Sequence, residues 1–368
     1  MLRLAQRGHK VLFIERQVGP EQLIRDQALR TRKMNSWKSP RLRQLKENLW
    51  LWQPPLLPPG RYYNTFLNRL GQEFLAKQVQ NLLETIGLSS PILWLYPPQS
   101  SPLLGRFNEI LSLYHCIDNF SGNQRKFKRQ IMQNEENDLL RRVDLVFTHS
   151  EGLLNRYQGI TRRKISLVPS AADVAHFQST TSVDPLLSNI PHPRLGVMGT
   201  FDARLDVSLL IEIFRSQNTW QLVLIGPLRL ERIDLKNLLR LPNVNYLGPQ
   251  PFEKLPALLN GIDIFLIPYV VDELTKYISP IKLYEYLAVG KPIVSTNLPE
   301  VSSLKEYVRF AQVAQDFAQQ IHEGLISDTQ AQWSARRSEA RQHSWENRLN
   351  LMMRNISDTL KEKTNGAG

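Results

Sequence analysis

Ser279-Pro280-Ile281-Lys282-Leu283-Tyr284-Glu285-Tyr286-Leu287-Ala288-Val289-Gly290-Lys291-Pro292-Ile293-Val294-Ser295-Thr296-Asn297-Leu298-Pro299-Glu300 is the stretch on which the reading of this chain turns. Pro280 suits a helix start, where a missing N–H costs nothing, and Gly290 suits the helix end. Between them Leu283, Leu287 and Ala288 mark one apolar face, while Lys282 and Glu285 fall on the first turns. Pro292 to Ser295 reads as a short buried strand. A polar helix head of this kind presents backbone N–H groups and a partial positive charge, which suits a phosphate. A carboxylate one turn further on can accept hydrogen bonds from a sugar or ribose diol.

Working outward, strands alternate with helices along the whole chain. The first half reads as strands at 10–15, 92–96, 111–116, 143–148 and 164–168, with a helix at 126–142. Another helix is expected from Tyr62 to Ile86, where Phe66, Leu70, Phe74, Leu75, Val79, Leu82, Leu83 and Ile86 recur at helical spacing. Prolines 54, 55, 58 and 59 mark the segment before it as loop-rich. Residues 178–193 read as a linker, after which the alternation restarts. Strands are expected at 194–198, 221–225, 244–247 and 264–267, with helices at 207–214, 252–259, 313–326 and from 345 to about 361. Such alternation argues for parallel sheets covered on both faces. The expected α/β architecture is two Rossmann-like domains facing a cleft, with ligands outside the carboxyl ends of the strands. The expected division is 1–180, 181–344, and a C-terminal helix over 345–368 packing back toward the first domain.

A length of 368 residues, 42 % hydrophobic and 22 % charged, suits two globular domains of ordinary size. The single cysteine, Cys116, excludes an internal disulfide, lies in an apolar run and fits a reducing compartment. No run of eighteen apolar residues is present and the first residues lack a secretory apolar core, so the expected location is cytoplasmic. The net charge is +12. Within residues 25–46, Arg25, Arg30, Arg32, Lys33, Lys38, Arg41, Arg43 and Lys46 face one acid, Asp26, with Trp37, Trp50 and Trp52 nearby. This segment reads either as a solvated basic face or as contact with an anionic membrane surface on the cytoplasmic side. Nucleic acid is the rival polyanion and is not expected.

The stretch 279–300 resembles the donor-binding signature of the retaining, nucleotide-sugar-dependent glycosyltransferases of the GT-B fold, family 4 in particular: Pro-x-Lys-x-x-Glu-(Tyr/Ala)-x-Ala-x-Gly-x-Pro-Val. Supporting resemblances are Arg7-Gly8-His9-Lys10-Val11-Leu12-Phe13, Tyr114-His115-Cys116-Ile117-Asp118, Val168-Pro169-Ser170, Gly196-Val197-Met198-Gly199, Leu224-Ile225-Gly226-Pro227 and Leu241-Pro242-Asn243-Val244-Asn245-Tyr246-Leu247-Gly248. The resemblance implies metal-independent hexosyl transfer from a nucleoside diphosphate sugar, with no bound cofactor, to a glycan or lipid-linked acceptor in cell-surface polysaccharide synthesis. The alternative is a degenerate GT-B protein that binds without turnover.

On this resemblance Glu285 binds the ribose, Lys282 reaches the diphosphate or orients Glu285, and Pro280, Ile281 and Leu283 offer backbone groups to phosphate. Gly199 and Gly226 line the same edge. Arg204 and Lys276 are the candidate cations for the leaving diphosphate. His115 and Asp118, at the carboxyl end of a strand of the first domain, are the remaining catalytic candidates; a satisfied core histidine is the other reading of His115. Two departures stand out. The family's second glutamate, eight positions before Glu285, is Tyr277 here, with Asp272 or Glu273 as substitutes. The first strand of the first domain also has no counterpart, so that domain is expected to lack it.

Overall fold

The structure, a computed structural model, describes residues 1–25, 31, 41–122, 126–229 and 233–365. Two compact units divide the chain. The first comprises Met1–Phe147, Tyr157–Ile165 and Thr359–Gly368; the second comprises Thr148–Arg156 and Ser166–Asp358.

The second unit is built on a six-stranded sheet of β8 (Arg194–Met198), β9 (Gln221–Ile225), β10 (Val244–Gly248), β11 (Ile264–Ile267), β12 (Ile293–Ser295) and β13 (Arg309–Phe310), in the order β10-β9-β8-β11-β12-β13. The pairings are parallel; β8 and β9 run in register from Arg194↔Gln221 to Met198↔Ile225, and β11 pairs Phe265 with Ile293. Side chains along a strand alternate between faces, and here both sets are buried. Leu195, Val197, Leu222, Leu224, Ile264, Leu266 and Val294 enter one apolar cluster. Met198, Val223, Ile225, Phe265, Ile267 and Ile293 enter the other. Parallel strands with both faces covered need such uninterrupted apolar runs, which is why these strands read clearly in the sequence. The stretch 178–193, read as a linker, belongs to this unit: Leu187 and Ile190 are buried in its second cluster.

The first unit carries two sheets. One is three-stranded, β1 (Val11–Ile14), β3 (Leu49–Trp52) and β2 (Leu42–Lys46) in the order β1-β3-β2; the other is β4 (Ile92–Leu95), β5 (Leu111–Cys116), β6 (Leu145–Thr148) and β7 (Lys164–Leu167), in that order. β1 and β4 each end a sheet. Every residue of β5 is buried. The helices Thr65–Thr85 (α1) and Lys126–Arg142 (α2) lie within this unit.

Three local expectations are corrected. The segment before Pro54 is not all loop, since β2 and β3 pair antiparallel from Leu42↔Trp52 onward. Trp52 is buried, so it is not an interfacial aromatic. The apolar set assigned to one helix splits on α1: Leu75 and Val79 are buried beside Asn68 and Gln72, whereas Phe66, Leu70 and Phe74 are exposed. Of the basic segment 25–46, Asp26, Arg30, Arg32, Lys33, Trp37 and Lys38 lie outside the described residues. Among the described residues no helix is long and apolar enough to cross a membrane.

Candidate functional site

The helix Ile281–Val289, here α3, follows β11 through the loop 268–280, which holds a 3-10 turn at Thr275–Tyr277, with Pro280 at its N-cap and no side chain capping its head. It ends where Gly290 takes the left-handed conformation, φ +99°. Leu283 through Val289 are buried, while Ile281 is exposed. Tyr286 locks the helix onto the sheet: its ring stacks on Phe265 at 4.1 Å, and its hydroxyl accepts the Met198 N–H at 2.7 Å.

The head of α3 meets the carboxyl ends of β8 and β9. Gly199 and Gly226 follow those strands with φ of +146° and +137°. A Cβ on Gly226 would lie 1.9 Å from the Gly199 carbonyl oxygen, so only glycine permits this approach of two backbones. The stem of Lys282 crosses Gly199, its Cε 3.5 Å from where a Cβ would stand. Lys282 Nζ then donates to Glu285 Oε2 at 2.7 Å. The pair is unequally wet, with side chains 26 % and 9 % exposed.

A second ion pair stands beside it. Arg204 grips Asp202 with Nε to Oδ1 at 2.8 Å and Nη2 to Oδ2 at 2.5 Å. Burial alone would raise the Asp202 carboxyl; hydrogen bonds from Arg204 and the charges of Arg204 and Arg229 outweigh it and hold the carboxyl below its ordinary value. The loop bearing Arg204 is tied to the end of β11, since Val270 N–H donates to Arg204 O at 2.8 Å and Leu205 bridges Tyr269. Burial pushes the Tyr269 phenol up, and the charges of Arg204, Asp202 and Glu285 all reach it. The ends of β8, β9 and β11 and the head of α3 thus gather two glycines, two cations and two carboxylates within one unit.

These observations sort the expected site residues. Gly199, Gly226, Lys282, Glu285 and Arg204 come together. The Leu283 N–H donates to Pro280 O at 3.0 Å and its side chain is buried, so among the head groups the amides of Ile281 and Lys282 are those the helix pattern does not use. Lys276 is exposed and bound to Glu273 at 2.5 Å; that carboxylate, by hydrogen bonding it, raises the ammonium's pKa. Tyr277 packs on Gly152, where a Cβ would lie 2.8 Å from its ring. In the first unit, His115 is buried among Tyr96, Phe147 and Trp94, with ring centroids 5.3, 5.7 and 5.8 Å away. Asp118 is exposed two residues beyond β5. Asp202 and Tyr269 escaped the sequence reading because only the long-range pairing of their loops joins them to Glu285.

Residues 192–327 match the family model described as "Glycosyl transferases group 1". This stretch is a glycosyl transferases group 1 domain. It contains the whole Gly199, Gly226, Arg204, Lys282 and Glu285 constellation. The chain is also similar to TuaH of Bacillus subtilis strain 168, a protein named for glycosyl transfer in teichuronic acid biosynthesis, at 28 % identity over 190 residues. That match covers 50 % of this chain and 48 % of TuaH, about half the length of the relative. Among solved structures, the sucrose-phosphate synthase of Thermosynechococcus elongatus aligns with a TM-score of 0.72 at 16 % identity, covering 98 % of this chain and 91 % of that one. Anabaena HepE in complex with UDP aligns with a TM-score of 0.66 at 15 % identity, covering 95 % of this chain and 100 % of that one. At such identities the likeness shows the fold, which is GT-B.

Proposed function

We propose that this chain transfers a sugar from a nucleoside diphosphate donor to a glycan or lipid-linked acceptor in cell-surface polysaccharide synthesis, with retained configuration and no metal requirement. The observation that carries this reading is the Lys282–Glu285 pair at the uncapped head of α3, seated against Gly199 inside the group 1 domain. UDP is the first nucleotide to test, because HepE was solved with it; TuaH supports the polysaccharide setting through its name.

In this reading Glu285 accepts hydrogen bonds from the ribose hydroxyls. The diphosphate lies against the head of α3 and the backbone at Gly199. As the bond between the anomeric carbon and the diphosphate oxygen breaks, Lys282, Arg204 and the helix-head amides stabilise the charge gathering on the leaving group. The acceptor oxygen bonds the same carbon on the same face, and its proton passes to the departing phosphate. Lys276 is a further candidate cation once released from Glu273. Asp118, exposed, is the first-unit candidate for orienting the acceptor hydroxyl, and His115, which is buried, is the candidate for a hydrogen bond to the donor sugar.

The test is incubation with labelled UDP- and GDP-sugars. Slow release of free nucleoside diphosphate, abolished in Glu285→Ala, is the expected outcome; release that persists in this variant overturns the site. A second reading, binding without turnover, is favoured by one observation: Tyr277 fills the position of the family's other glutamate, and Glu273 is held by Lys276. Donor binding by calorimetry with no release from any nucleotide sugar would decide for it.

A further inference from the structure

The face of α1 that the fold leaves in water is apolar. Phe66, Leu70 and Phe74 are 65, 45 and 52 % exposed and follow each other at intervals of four, opposite the buried Asn68, Gln72, Leu75 and Val79. A helix of a globular domain ordinarily turns charge outward on this arc. Just before α1, the rings of Tyr62 and Tyr63 lie 5.4 and 5.9 Å from Lys128 Nζ at the start of α2. Beside it Phe127 is 67 % exposed.

Cations frame these rings. Arg69 and Lys77 are exposed on the same arc of α1. Lys126, Lys128 and Arg129 crowd the first turn of α2, which carries no acid. Three positive charges there oppose the helix dipole, an arrangement the helix itself does not favour. The carboxylate within the stripe, Glu73, is taken up by Arg69 at 3.2 Å and Arg106 at 3.0 Å.

We propose that the exposed arc of α1, with the first turn of α2, docks on an anionic lipid bilayer. Aromatic and leucine side chains flanked by lysine and arginine match the boundary between acyl chains and acidic headgroups. A second copy of this chain would bring like charges together. The inference stands apart from the donor site and from the basic segment 25–46.

The experiment is vesicle flotation with the full chain, using phosphatidylcholine alone and phosphatidylcholine mixed with phosphatidylglycerol. Binding is expected only to the mixed vesicles, weakened by salt. The triple variants Phe66→Ser/Leu70→Ser/Phe74→Ser and Lys126→Gln/Lys128→Gln/Arg129→Gln should each lose on the order of tenfold or more in partition. Phe74→Cys carrying an environment-sensitive dye should shift to the blue on the mixed vesicles, and this keeps the test decisive if a triple variant misfolds. Absence of flotation, undiminished flotation of the serine variant, or a dye that stays in water overturns the proposal. So does sedimentation showing that the stripe instead joins two copies, or a glycan polymer that protects the dye while the vesicles do not.

Discussion

Removing the carboxylate at Glu285 and removing the ammonium at Lys282 should have opposite profiles. Glu285 is 9 % exposed and Lys282 26 % exposed, with 2.7 Å between Nζ and Oε2. In Glu285→Ala the stranded lysine can turn toward solvent, so stability should fall by only about 1 kcal/mol. The proposed ribose contact is different. Two hydroxyls donating to one carboxylate, at about 1.5–3 kcal/mol for each charged hydrogen bond, place the loss of nucleotide affinity near 3–5 kcal/mol, or roughly 10²–10⁴-fold. In Lys282→Met the carboxylate is left nearly buried without its partner, and the stability loss should exceed that of Glu285→Ala, by about 2 kcal/mol after allowance for residual water contact. Urea unfolding followed by circular dichroism gives the first quantity; calorimetric titration with UDP gives the second. A folded Glu285→Ala protein that binds UDP as tightly as the parent refutes the argument.

Three further outcomes are expected. Gly290→Ala would place a Cβ 1.8 Å from Trp333 Cδ1 at a φ of +99°, displacing the indole that donates to Val289 O at 2.6 Å; urea unfolding should show a loss of about 2–5 kcal/mol, and an unchanged midpoint would contradict the packing described. Burial first, then the charge of Glu136, pushes the Cys116 thiol up to about 12, so a thiol reagent at pH 8 should leave the native protein unlabelled and react only after unfolding. Burial pushes the Glu135 carboxyl from 4.5 up to about 7, against the Asn68 hydrogen bond and the charge of Arg61. The folded state therefore holds that proton more tightly, so its contribution is complete below pH 4.5 and is lost as pH rises through 7. Unfolding free energies across this window should lose roughly 1–3 kcal/mol from this group, and a Glu135→Gln variant whose pH slope matches the parent would refute the assignment.

The second unit was legible because its strands are buried on both faces and its site is largely local. Pro280, Gly290 and the apolar run between them mark a helix whose bounds the structure reproduces. Ile264–Ile267, Arg194–Met198 and Gln221–Ile225 were read at the observed limits because each is a short apolar run. What escaped depends on distance in sequence. The helix Gln330–Gln342 was not anticipated; it is polar by composition, and its buried face rests on Arg336 and Ala340. The β2–β3 hairpin was hidden by its basic strand, Leu42–Lys46, whose partner supplies the burial. On α1 the periodicity was right and the facing wrong. Counting apolar residues cannot reveal that Asn68 and Gln72 go inward, where Asn68 reaches Glu135 at 2.9 Å and Gln72 reaches Gln17 at 2.7 Å.

The tail of α3 is fixed by groups that take no part in the proposed chemistry. Trp333 donates to Val289 O, and Arg336 donates through Nε to Gly290 O at 2.6 Å while its Nη2 holds Asp328. A buried guanidinium at the carboxyl end of a helix complements the dipole and satisfies a carbonyl that has no intrahelical donor. Tyr286 pins the middle of the helix to Phe265 and Met198. The head, by contrast, has no capping side chain, and Lys282 there is the more solvent-exposed member of its pair. Anchoring the tail and middle lets the head keep amides, an ammonium and a carboxylate together without a capping side chain. Loss of the tail contacts should therefore lower the folded fraction while leaving nucleotide affinity per folded molecule intact. Loss of Glu285 should do the reverse, which is why the two kinds of variant separate a structural role of this helix from a binding one.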